Sequence, residues 1–264
     1  MNTLLLDCQN IAYREAYAKA GLSYRGRPTN VIYGFLQQVR SLMYLYPGEI
    51  HFCWDNKESL RKQFYPLYKA NRHRDELPDQ VKEAFTQIEK LRTEILPRLG
   101  LNNHHYQWGY EADDLIAVLC KLPGKSIIVS SDNDLFQCLG PTVSIHNIGK
   151  KALMNYKQFQ AEFKVTPQQW IEVKALCGDS SDNIEGISGV GIKTATKIVL
   201  GQPYSKKLQF EHSFFRSVGH LERNRKLIRL PWEGTKPGDI SRSCFNEREF
   251  IRVCHEKGLQ SLIK

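Results

Sequence analysis

Apolar positions in this chain follow two different periods, and the two alternate along its first half. Leu4-Leu5-Leu6, Ile50 to Trp54, and Lys125 to Ser130 (KSIIVS) contain short unbroken apolar runs, each close to an acid. Runs of this length suit parallel strands covered on both faces. Between them the apolar residues recur every three or four positions, the spacing of one helix face. Asn10 to Ala20 reads as helix. In Asn30 to Tyr44 the shared face is Val31, Phe35, Val39 and Leu42. Pro78 to Leu96 carries Val81, Phe85, Ile88, Leu91 and Ile95, with a proline suited to the first turn and Gly100 to end it. Tyr110 to Cys120 is a further helix. Asn102 to Tyr106 and Val143 to His146 are expected as strands, the latter followed by a turn at Gly149-Lys150-Lys151. His104 and His105 are adjacent and so face opposite ways on a strand, as surface or packing residues rather than a ligand pair. Strands alternating with helices predict an α/β fold with a central, mostly parallel sheet flanked by helices.

The second half is helical in pattern. Asn155 to Phe163 is one helix. Thr166-Pro167 caps and starts the next, which carries Trp170, Ile171, Val173 and Leu176 and closes at Gly178. Ala195 to Leu200 ends at Gly201. Lys206 to Arg229 is basic and mostly helical, with Phe210, Phe214, Val218 and Leu221 expected in the core. Pro231 to Gly238 is a loop around Trp232, and Glu247 to Leu262 is a last helix or pair of helices. Residues 1–154 and 155–264 are therefore expected as an α/β domain and a helical region.

Composition narrows the function. The net charge is +9, from 37 Lys and Arg against 28 acids, and nine of those acids fall in the motifs below. A basic body with one concentrated acidic spot suits a polyanion held over cations. Seven scattered cysteines with no CxxC pair read as buried free thiols in a reducing compartment, without zinc spacing. The start, MNTLLLDCQN, is interrupted by acid too soon for a signal peptide, and no apolar run reaches membrane-spanning length. A cytoplasmic protein is expected.

The acids cluster by position. Asp7, Asp55 and Asp132 follow three strands, and in an open parallel sheet those strand ends share one edge. Glu111, Asp113 and Asp114 open a helix. Capping explains one or two of them, but three repel unless a cation sits among them. Asp132 and Asp134 share a side if the chain there is extended. Asp179 and Asp182, three apart, can aim at one point. These nine carboxylates include no His or Cys partner, and all-oxygen ligation favours Mg²⁺ or Mn²⁺. Two such ions serve phosphodiester hydrolysis. No Ser or Cys nucleophile with a base partner is present. Residues 61–74, RKQFYPLYKANRHR, interleave cations with Phe64, Tyr65 and Tyr68, which suits single-stranded nucleic acid. Gly186 to Lys193 makes a tight turn and a bare helix start, whose free amides beside Lys193 suit phosphate.

GDSSDNIEGISGVGIKTA closely resembles the helix-three-turn-helix signature of the 5′-nucleases, the flap endonuclease/5′–3′ exonuclease family. TNVIYGFL, YPLYKANR, EADD and SSDNDLFQ are similar to that family's other motifs, in its order, over roughly residues 4–200. The resemblance implies a PIN-like (SAF) nuclease domain over 1–154 with a helical arch at about 61–85. A helix-three-turn-helix DNA-binding motif would lie at about 166–200. One ion would lie near Asp7, Asp55, Glu111, Asp113 and Asp114, and a second near Asp132, Asp134, Asp179 and Asp182. Asp7, Asp55, Asp113, Asp132, Asp134, Lys69 and Arg72 would be catalytic. Arg61, Tyr68, Lys69, Arg72, Gly189, Gly191, Lys193 and Thr194 would contact DNA. It further implies Mg²⁺ or Mn²⁺ as two or more ions, K⁺ at the helix-hairpin-helix, DNA with a 5′ end or 5′ flap as substrate, and a monomer in the cytoplasm, the host's if phage-encoded. Departures from the family pattern are mild: Trp54 and Asn56 beside Asp55, and Glu185 where proline is usual.

Two rival readings are weaker. A PIN-type ribonuclease shares the acidic edge but needs neither the glycine turn nor the YKANR segment. A non-catalytic DNA-binding module derived from a nuclease would have lost carboxylates, and none is missing.

Overall fold

The computed structural model describes residues 2–72 and 79–263. The first apolar run is strand β1 (Asn2–Asp7), and Asp7 caps the helix that follows, α1 (Cys8–Ala18), by accepting from the Asn10 amide. A small hairpin, β2 (Ser23–Tyr24) and β3 (Arg27–Pro28), leads to α2 (Asn30–Leu45), where Val31, Phe35, Val39 and Leu42 are all buried. Strand β4 (Gly48–Cys53) follows, then the short helix α3 (Leu60–Phe64). Helix α4 (Asp79–Lys90) runs through a wider π-helical turn, Leu91–Ile95, into α5 (Leu96–Arg98), and Gly100 stops it at a φ of 73°. The expected Pro78 start, and the part of the expected arch at 73–78, lie outside the described residues. β5 (His104–His105), α6 (Ala112–Leu119), β6 (Lys125–Val129), β7 (Val143–Asn147) and β8 (Ala152–Met154) complete this half.

The strand order is β5-β4-β1-β6-β7-β8, parallel throughout except for β7 against β8. Asp7 pairs in register with Cys53, and Leu6 with Val129, so β1, β4 and β6 end side by side. Alternation sends Leu4 and Leu6 to one core and Leu5 to the other. Each such buried side chain contributes about 1.5–3 kcal/mol. That register is what brings the acids following each strand to one edge. His105 is buried and stacks on His51 at 5.1 Å, with a 2.9 Å hydrogen bond between the rings, so it packs the sheet edge.

In the second half, α7 (Tyr156–Phe163) and α8 (Pro167–Cys177) each begin with a capping box, from Asn155 and Thr166. A small hairpin, β9 (Gly178–Asp179) and β10 (Ile184–Glu185), precedes α9 (Ile192–Val199), α10 (Lys206–Ser217) and α11 (His220–Ile228). Phe159, Trp170, Leu176 and Leu227 share a core with Leu5 and Leu115.

Two expectations are corrected here. Phe210, Phe214 and Val218 are 72, 56 and 44% exposed, because α10 turns Phe215 inward instead. The last helix, α12 (Glu247–Lys257), and the turn at Gln260–Leu262 do not pack with the helical region. They place Phe250, Val253 and Leu262 in the core with Leu4 and Phe35 on the other face of the sheet. All seven cysteines are free; Cys8, Cys53 and Cys254 are buried, whereas Cys244 is exposed.

Candidate active site

Asp7 ends β1, Asp55 lies two residues past β4, and Asp132 three past β6. The start of α6 adds Glu111 and Asp113. These five carboxylates line one cavity of about 370 Å³, together with Lys69 and Arg72. Three of them are held from behind. Asp7 Oδ2 accepts from the Ser130 hydroxyl at 2.8 Å, and Asp55 Oδ1 from the Ala112 amide at 2.8 Å. Asp132 Oδ1 accepts from the Asp134 amide at 2.8 Å. That last bond is an Asx turn opening a 3-10 helix, Asp134–Cys138, so the extended course expected for Asp132 to Asp134 is not what forms.

Among the described residues no Lys or Arg pairs directly with Asp7, Asp55, Asp113 or Asp132. Electrostatics reflect this. Burial, reinforced by Asp55, raises the Asp7 carboxyl to about 7. Asp55 is raised by burial and by Glu111. Asp113 is raised further, by burial and then by Asp132, Asp7 and Asp55. Acids raised in this way in a shared cavity need protons or cations between them.

The other acids already have cations. Asp114 is fully buried and pairs with both terminal nitrogens of Arg61, at 2.6 and 2.8 Å. Its oxygens also accept from the Glu111 and Trp232 amides. Asp114 is therefore already neutralised by a buried ion pair with Arg61. Arg61, 3% exposed and also donating to the Leu227 carbonyl, is not placed to touch DNA. Tyr68, 2% exposed, gives its hydroxyl to Glu111 at 3.0 Å and Asp182 at 3.1 Å, so it braces carboxylates beneath the surface.

Asp179 and Asp182 do not aim at one point. Lys174 Nζ lies 2.6 Å from Asp179 and 3.0 Å from Asp134. Asp182 instead accepts from Arg72 at 2.7 Å, with Lys69 at 3.7 Å. Lys69 is nearer Glu111, at 2.8 Å. Burial opposes the Lys69 charge, but Glu111 and Asp182 outweigh it and raise its pKa. Burial also works against the Glu111 charge, yet Lys69 and Arg61 pull that carboxyl down to about 2. Asp182, farther from Lys69, stays raised by burial.

The segment bearing Asp179 and Asp182 is pinned by close backbone contact. A Cβ on Gly178 would stand 2.3 Å from the Gly186 nitrogen, and one on Gly186 would stand 2.0 Å from the Cys177 carbonyl. Buried Asn224 donates to the carbonyls of Ala175 and Glu185, tying the hairpin to α8. Gly189 turns the chain at a φ of 75°, and Gly191 caps α9 without a side-chain partner. Gly189, Gly191 and Lys193 are exposed and Thr194 is partly so.

The residues fit divalent metal ions by donor chemistry: hard oxygens only, with Asp7, Asp55 and Asp113 held above the usual carboxylate range, in one shared cavity. Among the described residues no three His, Cys, Asp or Glu side chains are already drawn to one point. Asp7, Asp55, Asp113 and Asp132 are the ones free to close on an ion. Asp132 lines the cavity with the first group while staying hydrogen-bonded to Asp134 of the second.

Sequence reasoning missed Lys174 and Ser130. Lys174 is legible only as a cation five residues before Asp179, on the helix that ends at Gly178. Ser130, next to the strand end, carries no separate signal.

Residues 2–164 match the family model described as 5′–3′ exonuclease, N-terminal resolvase-like domain, and residues 165–205 match the one described as 5′–3′ exonuclease, C-terminal SAM fold. The chain is 34% identical over 211 residues to a 5′–3′ exonuclease of Bacillus subtilis, covering 74% of this chain and 69% of that one. It is 36% identical over 214 residues to DNA polymerase I of Streptococcus pneumoniae, covering 75% of this chain but 23% of the polymerase, so it spans under a quarter of that relative. Its fold is similar to that of a bacteriophage T5 flap endonuclease solved with DNA and metal ions, at a TM-score of 0.72 and 22% identity, covering 86% of this chain and 89% of that one. With residues 2–205 matched by these two models, the chain belongs to the 5′–3′ exonuclease family.

Proposed function

We propose that this chain hydrolyses DNA phosphodiester bonds at 5′ ends and 5′ flaps, using divalent metal ions. The observation that carries the reading is the cavity that Asp7, Asp55, Asp113 and Asp132 line with Lys69 and Arg72, the four acids having no directly paired Lys or Arg among the described residues. Mg²⁺ or Mn²⁺ held there supplies Lewis acidity and charge neutralisation at the reacting phosphate. Lys69, steadied by Glu111, points its charge at the same phosphate, and Arg72, half exposed, orients it.

The exposed turn at Gly189 to Thr194 holds the duplex backbone, with K⁺ as an added ligand there. A second cavity, of about 480 Å³, adjoins the first through Gln9, Tyr13 and Asp55 and runs beside α4. It gives the 5′ strand a path away from the reacting phosphate. Contacts to backbone carry little sequence information, so selection is by strand structure. Residues 2–154 serve as the nuclease body and 155–230 as the DNA-holding region. The chain works as a monomer in the cytoplasm; no helix among the described residues is long and apolar enough to cross a membrane. Cleavage of a 5′-labelled flap DNA in Mg²⁺, abolished by EDTA, is the expected result. Cutting of RNA but not of flap DNA would replace this reading with a ribonuclease.

A further inference from the structure

Lys174 is the cation shared by two largely buried acids. Its Nζ lies 2.6 Å from Asp179 Oδ2 and 3.0 Å from Asp134 Oδ1. All three side chains are mostly buried. The two contacts differ in quality. Asp179 is further satisfied by the Ser181 amide and hydroxyl, at 2.8 and 2.6 Å. Asp134 Oδ1 is buried and has no hydrogen bond in proper geometry, although Lys174 is close enough to be an ion pair. A buried oxygen in that state is a costly one, and a better-placed cation would relieve it. Lys174 therefore neutralises this pair of acids incompletely. Among the described residues, the cavity acids Asp7, Asp55, Asp113 and Asp132 form no such direct ion pair.

We propose that Lys174 is a built-in competitor for the second metal ion. One ion enters the cavity acids directly. A second is taken up by Asp134 and Asp179 only when Lys174 withdraws from them. The role is positional: Lys174 sets the order and affinity of loading without touching substrate. It rests on the metal-dependent reading above. A lysine ammonium and a divalent ion within a few ångströms of one another, sharing the same two carboxylates, repel strongly in a buried setting, so their binding is mutually unfavourable. Coupling of this kind typically changes affinity five- to about a hundredfold.

The test is Mn²⁺ titration calorimetry of the full chain without DNA, in the wild type, Lys174→Met and Lys174→Arg. The wild type is expected to show one tight site and one weak site. Lys174→Met should tighten the weak site by about tenfold or more and leave the tight site unchanged, whereas Lys174→Arg should keep it weak. Equal affinities in all three proteins would overturn the proposal. A wild type that binds no Mn²⁺ would instead overturn the metal-dependent function itself. Since removing a buried cation can prevent folding, amine-reactive labelling of the wild type gives a second readout. Labelling of Lys174 should rise several-fold at saturating Mn²⁺, and labelling indifferent to Mn²⁺ would contradict its withdrawal.

Discussion

Lys69 Nζ lies 2.8 Å from Glu111 Oε2 and 3.7 Å from Asp182 Oδ2, joining a carboxylate of the sheet edge to one of the helical region. The Lys69 amide also donates to the Asp182 carbonyl at 2.8 Å. A cation held this firmly is preorganised for developing charge rather than for docking. Lys69→Ala is expected to slow single-turnover cleavage by about a hundredfold while DNA affinity changes only a few-fold. Rate and affinity measured on the same flap substrate separate the two effects. Collapse of affinity at an unchanged rate would make Lys69 a docking residue.

Arg61 and Asp114 form a buried bidentate pair that also anchors the chain at Trp232 and Leu227. Breaking it leaves one buried charge alone, at a cost of about 3–5 kcal/mol. Arg61→Met and Asp114→Asn should therefore lower stability in urea denaturation, and metal affinity of the folded fraction should be unchanged. A stable Asp114→Asn with weakened Mn²⁺ binding would restore Asp114 as a ligand.

Acidity and stability are linked through the cavity. Asp7 is raised to about 7, and Asp55 and Asp113 are raised with it. In the unfolded chain these groups ionise near 4. Between those values the folded state binds more protons, so stability contributed by the protonated acids is present below pH 4 and is lost as pH rises toward and through 7. Metal-free protein should lose stability from Asp7 between about pH 4 and 7. Mg²⁺ should stabilise it more at pH 8 than at pH 5, because it replaces the departing protons. Thermal melts at both pH values with Mg²⁺ or EDTA measure this, and an equal Mg²⁺ effect at both would contradict it.

Much of this site was legible because of two local rules. Buried runs marked the strands, and register then fixed where Asp7, Asp55 and Asp132 would gather. What sequence could not assign was which acids would find a cation. Asp114 meets Arg61 from 53 positions away, and Asp134 meets Lys174 from a different element. Pairing at that range follows from packing and not from spacing. Phe210, Phe214 and Val218 teach the same lesson for the fold. Their i, i+4 and i+8 spacing correctly marks one face of a helix, but periodicity does not say which face is covered. α12 closes the core around Leu4 and Phe35 although it follows the helical region in sequence, a return of the chain that no local pattern announces.

Phosphate contacts should make DNA binding strongly salt-dependent, since each neutralised phosphate releases counterions. Lys193→Ala, at the exposed start of α9, is expected to lower the slope of log affinity against log salt by about 1 without changing the cleavage rate of bound substrate. An unaltered slope would remove that turn from the DNA interface.

The most direct measurement is single-turnover cleavage of a 5′-flap DNA in Mg²⁺ by Asp113→Ala and Asp132→Ala, alongside their DNA affinities. Loss of cutting with binding retained is the predicted result, because both side chains line the cavity, pair directly with no Lys or Arg among the described residues, and lie off the exposed turn. Wild-type cleavage rates in both variants would mean that the acids at the sheet edge do not hold the ions that cut DNA.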